Sequence, residues 1–322
     1  MSVAEAVKGI HHVTAISGVA QENVDFYAGV LGLRFVKKTV NFDDPGTYHL
    51  YYGDDEGRPG SILTFFPWAY ATQGRAGAGM VGATSFMISN GSLDDWSERL
   101  EESGVQSPLQ RSRFGEPVLL FRDPHGLDLE LVPARGGPGA TGSPRATDGV
   151  HSILGFYGVT LFVTEPDVTA SIITDIFGYE FVAHEEGRTR FRSPSGDPGS
   201  VIDLVRRADR GRQGKGTTHH VAFRARDEEQ QLSLGEALGS AGLHVTEVKD
   251  RNYFKSIYFR EPNGVLFEIA TDAPGFAVDE PMEHLGEELK LPQWLEPRRS
   301  EIERHLEGLR VPSPVKSPAS SS

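Results

Sequence analysis

FRDPHGLDLELV (121–132) and FREPNGVLFEIA (259–270) are the stretches that decide the fold. They align at a constant offset of 138, with Phe, Arg, an acid, Pro, Gly and Glu recurring in place. Upstream, Ser103-Gly104 meets Ala241-Gly242 at the same offset. A second repeat, at an offset of 146, sets VLGLRFV (30–36) on IFGYEFV (176–182) and HVTAIS (12–17) on GVTLFV (158–163). Self-similarity of this kind means one supersecondary unit used several times. The 322 residues therefore read as two halves of roughly 150 residues, each with two related units.

Every unit has the same order: a β-branched strand, an amphipathic helix, then three strands. In unit one HHVTAIS is the first strand. A helix over about 20–31 follows, with Val24, Tyr27, Val30 and Leu31 on one stripe and Gly32 as its stop. FVKKTVNF, TYHLYYG and SILTFFP are strands separated by the turn clusters DDPG and DDEGRPG. Unit two has the strand SFMIS and a helix opened by Ser92, with Asp95 three residues on as in a capping box. Unit three runs from about 151 to 206 and unit four from about 216 to 272. The fold class is α+β: four βαβββ modules in two tandem domains, 8–133 and 150–272, forming curved, barrel-like mixed sheets. ARGGPGATGSPRATDG (134–149) reads as the linker, 273–310 as an arm ending in a charged helix near 294–309, and the Pro/Ser-rich 311–322 as a disordered tail.

Composition narrows the chemistry. There are no cysteines, which excludes disulfides, thiolate metal sites and a cysteine nucleophile. Any transition metal has only His, Asp and Glu to hold it. The formal charge of −13 argues against nucleic acid and anionic membranes as partners. The N-terminus has no apolar core of a signal peptide, and no run approaches a membrane span, so a cytoplasmic location is expected. A homo-oligomer is compatible with all of this.

His-His-Val occurs twice, at 11–13 and 219–221, each time opening the first strand of a unit. Units two and three lack it, with Thr84 or Ser85 and Gly158 at the matching places. The histidines thus appear where the repeat alone does not demand them. Glu268 lies in the apolar run GVLFEIA, where a carboxylate is costly unless paired or bound to a metal. Two neutral imidazoles and a carboxylate on one face, with open positions, suit a first-row divalent ion. Sequence spacing cannot bring these residues together. The repeat can, because first and last strands of each unit would line one concave sheet.

These residues resemble the vicinal oxygen chelate superfamily, which includes glyoxalases, bleomycin- and fosfomycin-resistance proteins and extradiol dioxygenases. More narrowly, the chain is similar to ring-cleaving dioxygenases of hydroquinones and chlorinated hydroquinones. The resemblance rests on HHVT, FYAGVLGLRFVKKTVNFDDPGTYHLYYGDDEGRPGSILTFFP, RFGEPVLLFRDPHGLDLE, THHVAF, DRNYFKSIYFREPNGVLFE and the arm GFAVDE…LGEELKLP, spanning almost the whole chain. It implies an Fe(II) cofactor, with Mn(II) as the alternative, on His12, His220 and Glu268. It also implies catalytic or supporting roles for Thr14, His11, His219, Arg251 and Tyr258, and a small aromatic substrate with dioxygen as partners. Thr14 shares the strand face of His12. Strand alternation turns His11 and His219 away from that face, so their roles need a bulge or a strand end. Pairing back across the EPNG turn sets Tyr258 opposite Phe267 or Glu268.

Because unit three offers Gly158 in place of a histidine, units one and four must meet across the two halves. Thr64 falls where a fourth ligand would be, which favours a three-ligand site with open coordination. The expected activity is Fe(II)-dependent opening of a hydroquinone-type ring with incorporation of O2. The rivals are a metal-dependent glyoxalase-type lyase or thiol transferase on the same scaffold, and a binding protein without catalysis.

Overall fold

The computed structural model describes residues 6–106, 108–134 and 152–312. Its strands form two mixed eight-stranded sheets. Unit one supplies β1 (Ile10–Ser17), β2 (Arg34–Asn41), β3 (Asp44–Gly53) and β4 (Ile62–Pro67). Unit two supplies β5 (Met80–Ile88), β6 (Leu109–Arg113), β7 (Glu116–Arg122) and β8 (Asp128–Pro133). Unit three gives β9 (Ile153–Val163), β10 (Glu180–Glu185), β11 (Arg188–Arg192) and β12 (Val201–Arg206). Unit four gives β13 (Thr217–Ala225), β14 (Lys249–Asp250), β15 (Lys255–Arg260) and β16 (Leu266–Thr271).

The first sheet has the order β14-β15-β16-β13-β1-β4-β3-β2 and is built from units four and one. The second, β10-β11-β12-β9-β5-β8-β7-β6, is built from units three and two. Each sheet is thus a curled half-barrel drawn from both halves of the chain. The join is an antiparallel pair of first strands, β1 with β13 and β5 with β9. Parallel pairs flank it: β1 with β4 and β13 with β16 in the first sheet. This pairing lays the first and last strands of units one and four side by side, so that their inward residues share one concave surface.

The helices cover the opposite faces. They are α1 (Ala20–Val24), α2 (Leu93–Glu102), α3 (Pro166–Ser171), α4 (Glu228–Ser240) and, in the arm, α5 (Arg299–His305). Both α1 and α3 run on into a π-helical turn, Asp25–Val30 and Ile172–Ile176. Tyr27 of the first turn packs on Phe65 and Tyr52, and Val13, Ala15, Val221 and Phe223 face the same core. His12, Thr14 and His220 face the other way, as alternation requires.

Two local expectations are corrected. Ser92 does not cap α2: its hydroxyl donates to the Ser89 carbonyl instead, at 2.7 Å. The charged helix expected near 294–309 shrinks to a 3-10 turn at Glu296–Arg298 and α5. Beyond Ala134 the expected linker falls outside the described residues, as does the tail after 312.

The arm after β16 wraps the outside of the first half-barrel. Phe276 stacks on Tyr253 and meets Tyr51 edge-on, with ring centres 5.0 and 5.2 Å away. Lys37, fully buried on β2, reaches Asp279 at 2.6 Å and Glu280 at 2.5 Å. The arm therefore clamps the strands that form the site wall. No helix among the described residues is long and apolar enough to cross a membrane.

Candidate metal centre and active site

His12 on β1, His220 on β13 and Glu268 on β16 converge on the concave face of the first half-barrel, and all three are buried. Their facing atoms form a near-regular triangle. His12 Nε2 lies 3.3 Å from His220 Nε2 and 3.3 Å from Glu268 Oε2, and His220 Nε2 lies 2.9 Å from Glu268 Oε2. Ligand bonds of about 2.1 Å at right angles place donor atoms about 3.0 Å apart, so the triangle is the size one shared ion requires. Other described His/Asp/Glu side chains form no such cluster.

The adjacent histidines fix how the ligands present themselves. The β1–β13 register skips a residue at His11 and again at His219, so each is the extra residue of a β-bulge. A bulge breaks alternation and re-aims its side chain. His11 is thereby brought against His12, with the two Nδ1 atoms 2.9 Å apart, and His219 against His220 at 2.8 Å. The other nitrogen of His11 is 3.1 Å from the Thr271 carbonyl. A carbonyl can only accept, so His11 carries its hydrogen on Nε2 and accepts at Nδ1. His12 must then donate from Nδ1, which leaves the lone pair of its Nε2 facing the triangle.

Glu268 completes a set of electron-pair donors. Its Oε1 accepts from Ser256 Oγ, whereas Oε2 takes no hydrogen bond although it is buried. Lone pairs converging at this distance call for a cation between them, so the residues present fit a divalent metal. Burial pushes the Glu268 carboxyl up, but the facing imidazoles outweigh it and hold the group well below the carboxylate range. Burial pushes His11 down, and takes His219 to about 3.

A cavity of about 350 Å³ opens above the triangle. Tyr258 lines it, and its partner on β16 is Glu268, which resolves the two registers left open by the sequence. Arg251 Nε donates to Tyr258 Oη at 2.9 Å, and the guanidinium sits 5.1 Å from the Tyr258 ring centre. Burial, with Glu268 nearby, pushes the Tyr258 hydroxyl far up, so it is protonated at neutral pH. Thr14 and His219 line the cavity as well; His11 does not, lying behind His12.

Sequence reasoning missed a second wall. Tyr51 Oη lies 2.8 Å from His49 Nδ1, His49 Nε2 lies 2.7 Å from Thr64 Oγ1, and Thr64 Oγ1 donates to Thr14 Oγ1 at 2.9 Å. Thr64, in the fourth-ligand place, is thus a hydrogen-bonding residue of this chain of contacts. The signal was present in TYHLYYG, where His49 and Tyr51 alternate on one strand face, but nothing in the repeat marks it. Ser256 and Phe254, which packs on both His11 and His12 at about 5 Å, were also missed.

A family model described as the Glyoxalase/Bleomycin resistance protein/Dioxygenase superfamily matches residues 9–131 and 155–269. The chain belongs to this superfamily. MhqO of Bacillus subtilis (strain 168), provisionally named a ring-cleaving dioxygenase, is 52% identical over 306 residues, covering 94% of this chain and 97% of its own. The chlorohydroquinone/hydroquinone 1,2-dioxygenase of Sphingobium indicum is 34% identical over 318 residues, covering 95% and 98%. A crystal structure of a Bacillus subtilis protein provisionally described as a dioxygenase superposes with a TM-score of 0.90 at 51% identity, over 96% of this chain and 99% of that one. These relatives place the chain among the dioxygenases of the superfamily.

The second half-barrel of this superfamily member has the same frame without the ligands. Its register skips Gly82 and Tyr157, so it carries bulges matching those at His219 and His11. Glu130 pairs with Ser85 as Glu268 pairs with Ala222. Counting back along β5 puts Ala83, rather than the expected Thr84 or Ser85, at the place of His220. Arginines fill the interior. Arg113 reaches Glu130 at 2.5 Å, and Arg190 holds Asp203 through Nε at 2.8 Å and also bonds Glu116. Only about 10 Å³ of space is left beside Glu130 and Asp203.

Proposed function

We propose that this chain is an Fe(II)-dependent dioxygenase that opens a hydroquinone-type aromatic ring, with His12, His220 and Glu268 as the metal ligands. The observation that carries this reading is the convergence of buried electron-pair donors, with the His12 imidazole locked through His11 by the Thr271 carbonyl, at the floor of a cavity with room for an aromatic ring. The hydroquinone dioxygenase of Sphingobium indicum supports the choice of substrate class. Mn(II) suits the same ligand set.

The ion, when bound, supplies Lewis acidity toward the phenol oxygen and one-electron chemistry toward dioxygen. The remaining work falls to side chains. Tyr258, kept protonated by burial, donates a hydrogen bond at the floor of the cavity, where substrate oxygen carries negative charge. Arg251 holds the Tyr258 hydroxyl in place and adds a fixed positive charge there. His219 is neutral and has Nδ1 committed to His220, so proton exchange with substrate falls to its Nε2. His11 orients His12 from behind, and Thr14 offers a hydroxyl beside it. Phe254 and Phe66 exclude water. In the net reaction the carbon–carbon bond beside a hydroxyl-bearing carbon breaks and both atoms of dioxygen enter the product. The ring supplies the electrons, and no external reductant is consumed.

The test is oxygen uptake. Protein loaded anaerobically with Fe(II) should consume one dioxygen per hydroquinone and produce a ring-opened acid. No uptake with any hydroquinone or catechol refutes the assignment. Less than about 0.1 ion per chain after loading would instead point to the binding-protein reading. Thiol-dependent turnover without oxygen would point to a transferase.

A further inference from the structure

The cavity is much larger than a bare hydroquinone needs, and its surplus is apolar and lies at one end. A cavity that holds one benzene ring measures about 150 Å³, and dioxygen takes little more than a water's share of about 30 Å³. Out of about 350 Å³, more than a third is unaccounted for.

Strand directions show where this space lies. Thr14 pairs with Thr64, and the next pleat on, Ile16 pairs with Phe66. β13 runs antiparallel to β1 and parallel to β16, so the step from Glu268 back to Leu266 goes the same way. Leu266 therefore stands one pleat, about 6.6 Å, beyond Glu268, and Phe66 the same distance beyond Thr64 in the same direction. Trp68 extends this wall by stacking on Phe66, with ring centres 5.7 Å apart and planes 23° apart. Phe42 faces the cavity from the end of β2, backed by Trp294 of the arm, with ring centres 5.6 Å apart. Asp43, beside Phe42, is largely exposed and lies 3.8 Å from the Arg251 guanidinium.

We infer that the substrate is a hydroquinone bearing a sizeable apolar substituent, an alkyl chain of several carbons or a second ring, which Phe42, Phe66, Trp68 and Leu266 receive as an aromatic vestibule. This inference rests on the proposed ring-cleaving reading for its reacting group, but not for the vestibule itself. Phe42 and Trp68 are the specificity-determining residues. A carboxylated substituent is disfavoured, because seating it against these apolar side chains would strip its charge of water.

Two measurements test it. The first is kcat/KM of the Fe(II)-loaded enzyme for hydroquinone, n-butylhydroquinone, phenylhydroquinone and 2,5-dihydroxybenzoate. Burying a methylene is worth about fourfold, so n-butyl with three or four carbons seated should gain roughly 60- to 250-fold. The second is calorimetric titration, under nitrogen, with phenol and 2-n-butylphenol, which should show the same gradient in Kd. Phe42→Ala and Trp68→Ala should each flatten both gradients; Phe42, half-buried at a turn, packs on the small cluster of Val40, Leu291 and Leu295 and not on the main core, so its truncation should leave the fold intact. Oxygen uptake with a flat or falling chain-length dependence overturns the vestibule, as does preference for the carboxylated ring. A binding gradient without oxygen uptake upholds the vestibule and refutes the proposed reaction instead.

Discussion

Replacing Glu268 by Gln tests the metal centre with the least steric disturbance. The amide has the volume of the carboxylate, and its NH2 can donate to His220 Nε2 across the same 2.9 Å. The metal-free variant should therefore melt within a few degrees of the wild type. The difference appears on adding metal. An ion present at a thousandfold excess over its Kd stabilises the native state by about 4 kcal/mol. At about 2 °C per kcal/mol for a chain of this size, the wild-type Tm should rise by about 8 °C. Residues that merely support a ligand cost 10- to 100-fold in affinity when changed, so losing a charged ligand should cost at least about 100-fold. That removes about 2.7 kcal/mol at fixed metal concentration, leaving a rise of about 3 °C or less. The assay is scanning calorimetry of both proteins with and without Mn(II), which avoids iron oxidation, alongside metal analysis after desalting. A full metal-induced rise in Glu268→Gln, or none in the wild type, would refute the triad.

Four further predictions follow from other parts of the site. Lys37→Met leaves the Glu280 carboxylate buried without its cation; it should cost about 3–5 kcal/mol, seen as a fall in Tm and faster proteolysis of the arm. Tyr258→Phe should lower kcat by about 10²–10³-fold without loss of bound metal, and Arg251→Lys should lower it less, measured as oxygen uptake with hydroquinone. His11→Phe, which removes the acceptor for His12 Nδ1, should weaken metal affinity by about 10- to 100-fold in a chelator competition. Burial pushes His49 well below its ordinary value, so it is neutral when folded and takes a proton on unfolding. Its contribution is fully present above the unfolded value of about 6.5 and is lost as pH falls from there toward the folded value, by up to about 1.4 kcal/mol per pH unit. His49→Gln should therefore flatten the fall in Tm of the metal-free protein between pH 6.5 and 5, and an unchanged slope would count against a buried neutral imidazole.

What was legible in the sequence followed from the repeat. FRDPHGLDLELV and FREPNGVLFEIA are the same hairpin, so the placement of Glu268 on the last strand of its unit, and of His12 and His220 on first strands, needed only counting. The union of units one and four also followed, since Gly158 left unit three without a ligand. Two kinds of feature were not legible. The bulges at His11 and His219 depend on how β1 and β13 slide past each other, a property of the pair that neither strand's pattern contains. The wall of His49, Tyr51 and Thr64 comes from β3 lying across β4, and its residues look like ordinary strand formers. Ser92 failed as a cap because its hydroxyl is turned to donate to the Ser89 carbonyl, and its oxygen accepts from no amide of the first turn.

The two half-barrels show what the repeat requires of any unit and what it leaves free. Each curled sheet turns carboxylates inward from the middle of its units' last strands: Glu268 in one, and Glu130 and Asp203 in the other. A buried carboxylate must meet positive charge or hydrogen-bond donors. In the second half-barrel the charge is covalent. The guanidinium groups of Arg113, Arg188 and Arg190 reach Glu130 and Asp203 at 2.5–3.0 Å and occupy the space where a substrate would sit. In the first, unit four keeps Ser256 opposite Ala270, where its short side chain satisfies only one oxygen of Glu268. The other oxygen is left to whatever enters with His12 and His220. An arginine at the floor would neutralise the carboxylate as well as an ion would, but its side chain would close the cavity, as the roughly 10 Å³ left beside Glu130 and Asp203 shows. A metal would deliver the same charge in the volume of a single atom, and would keep the cavity of about 350 Å³ above it open. The activity of this scaffold therefore depends as much on the short residues around the triad as on the triad itself.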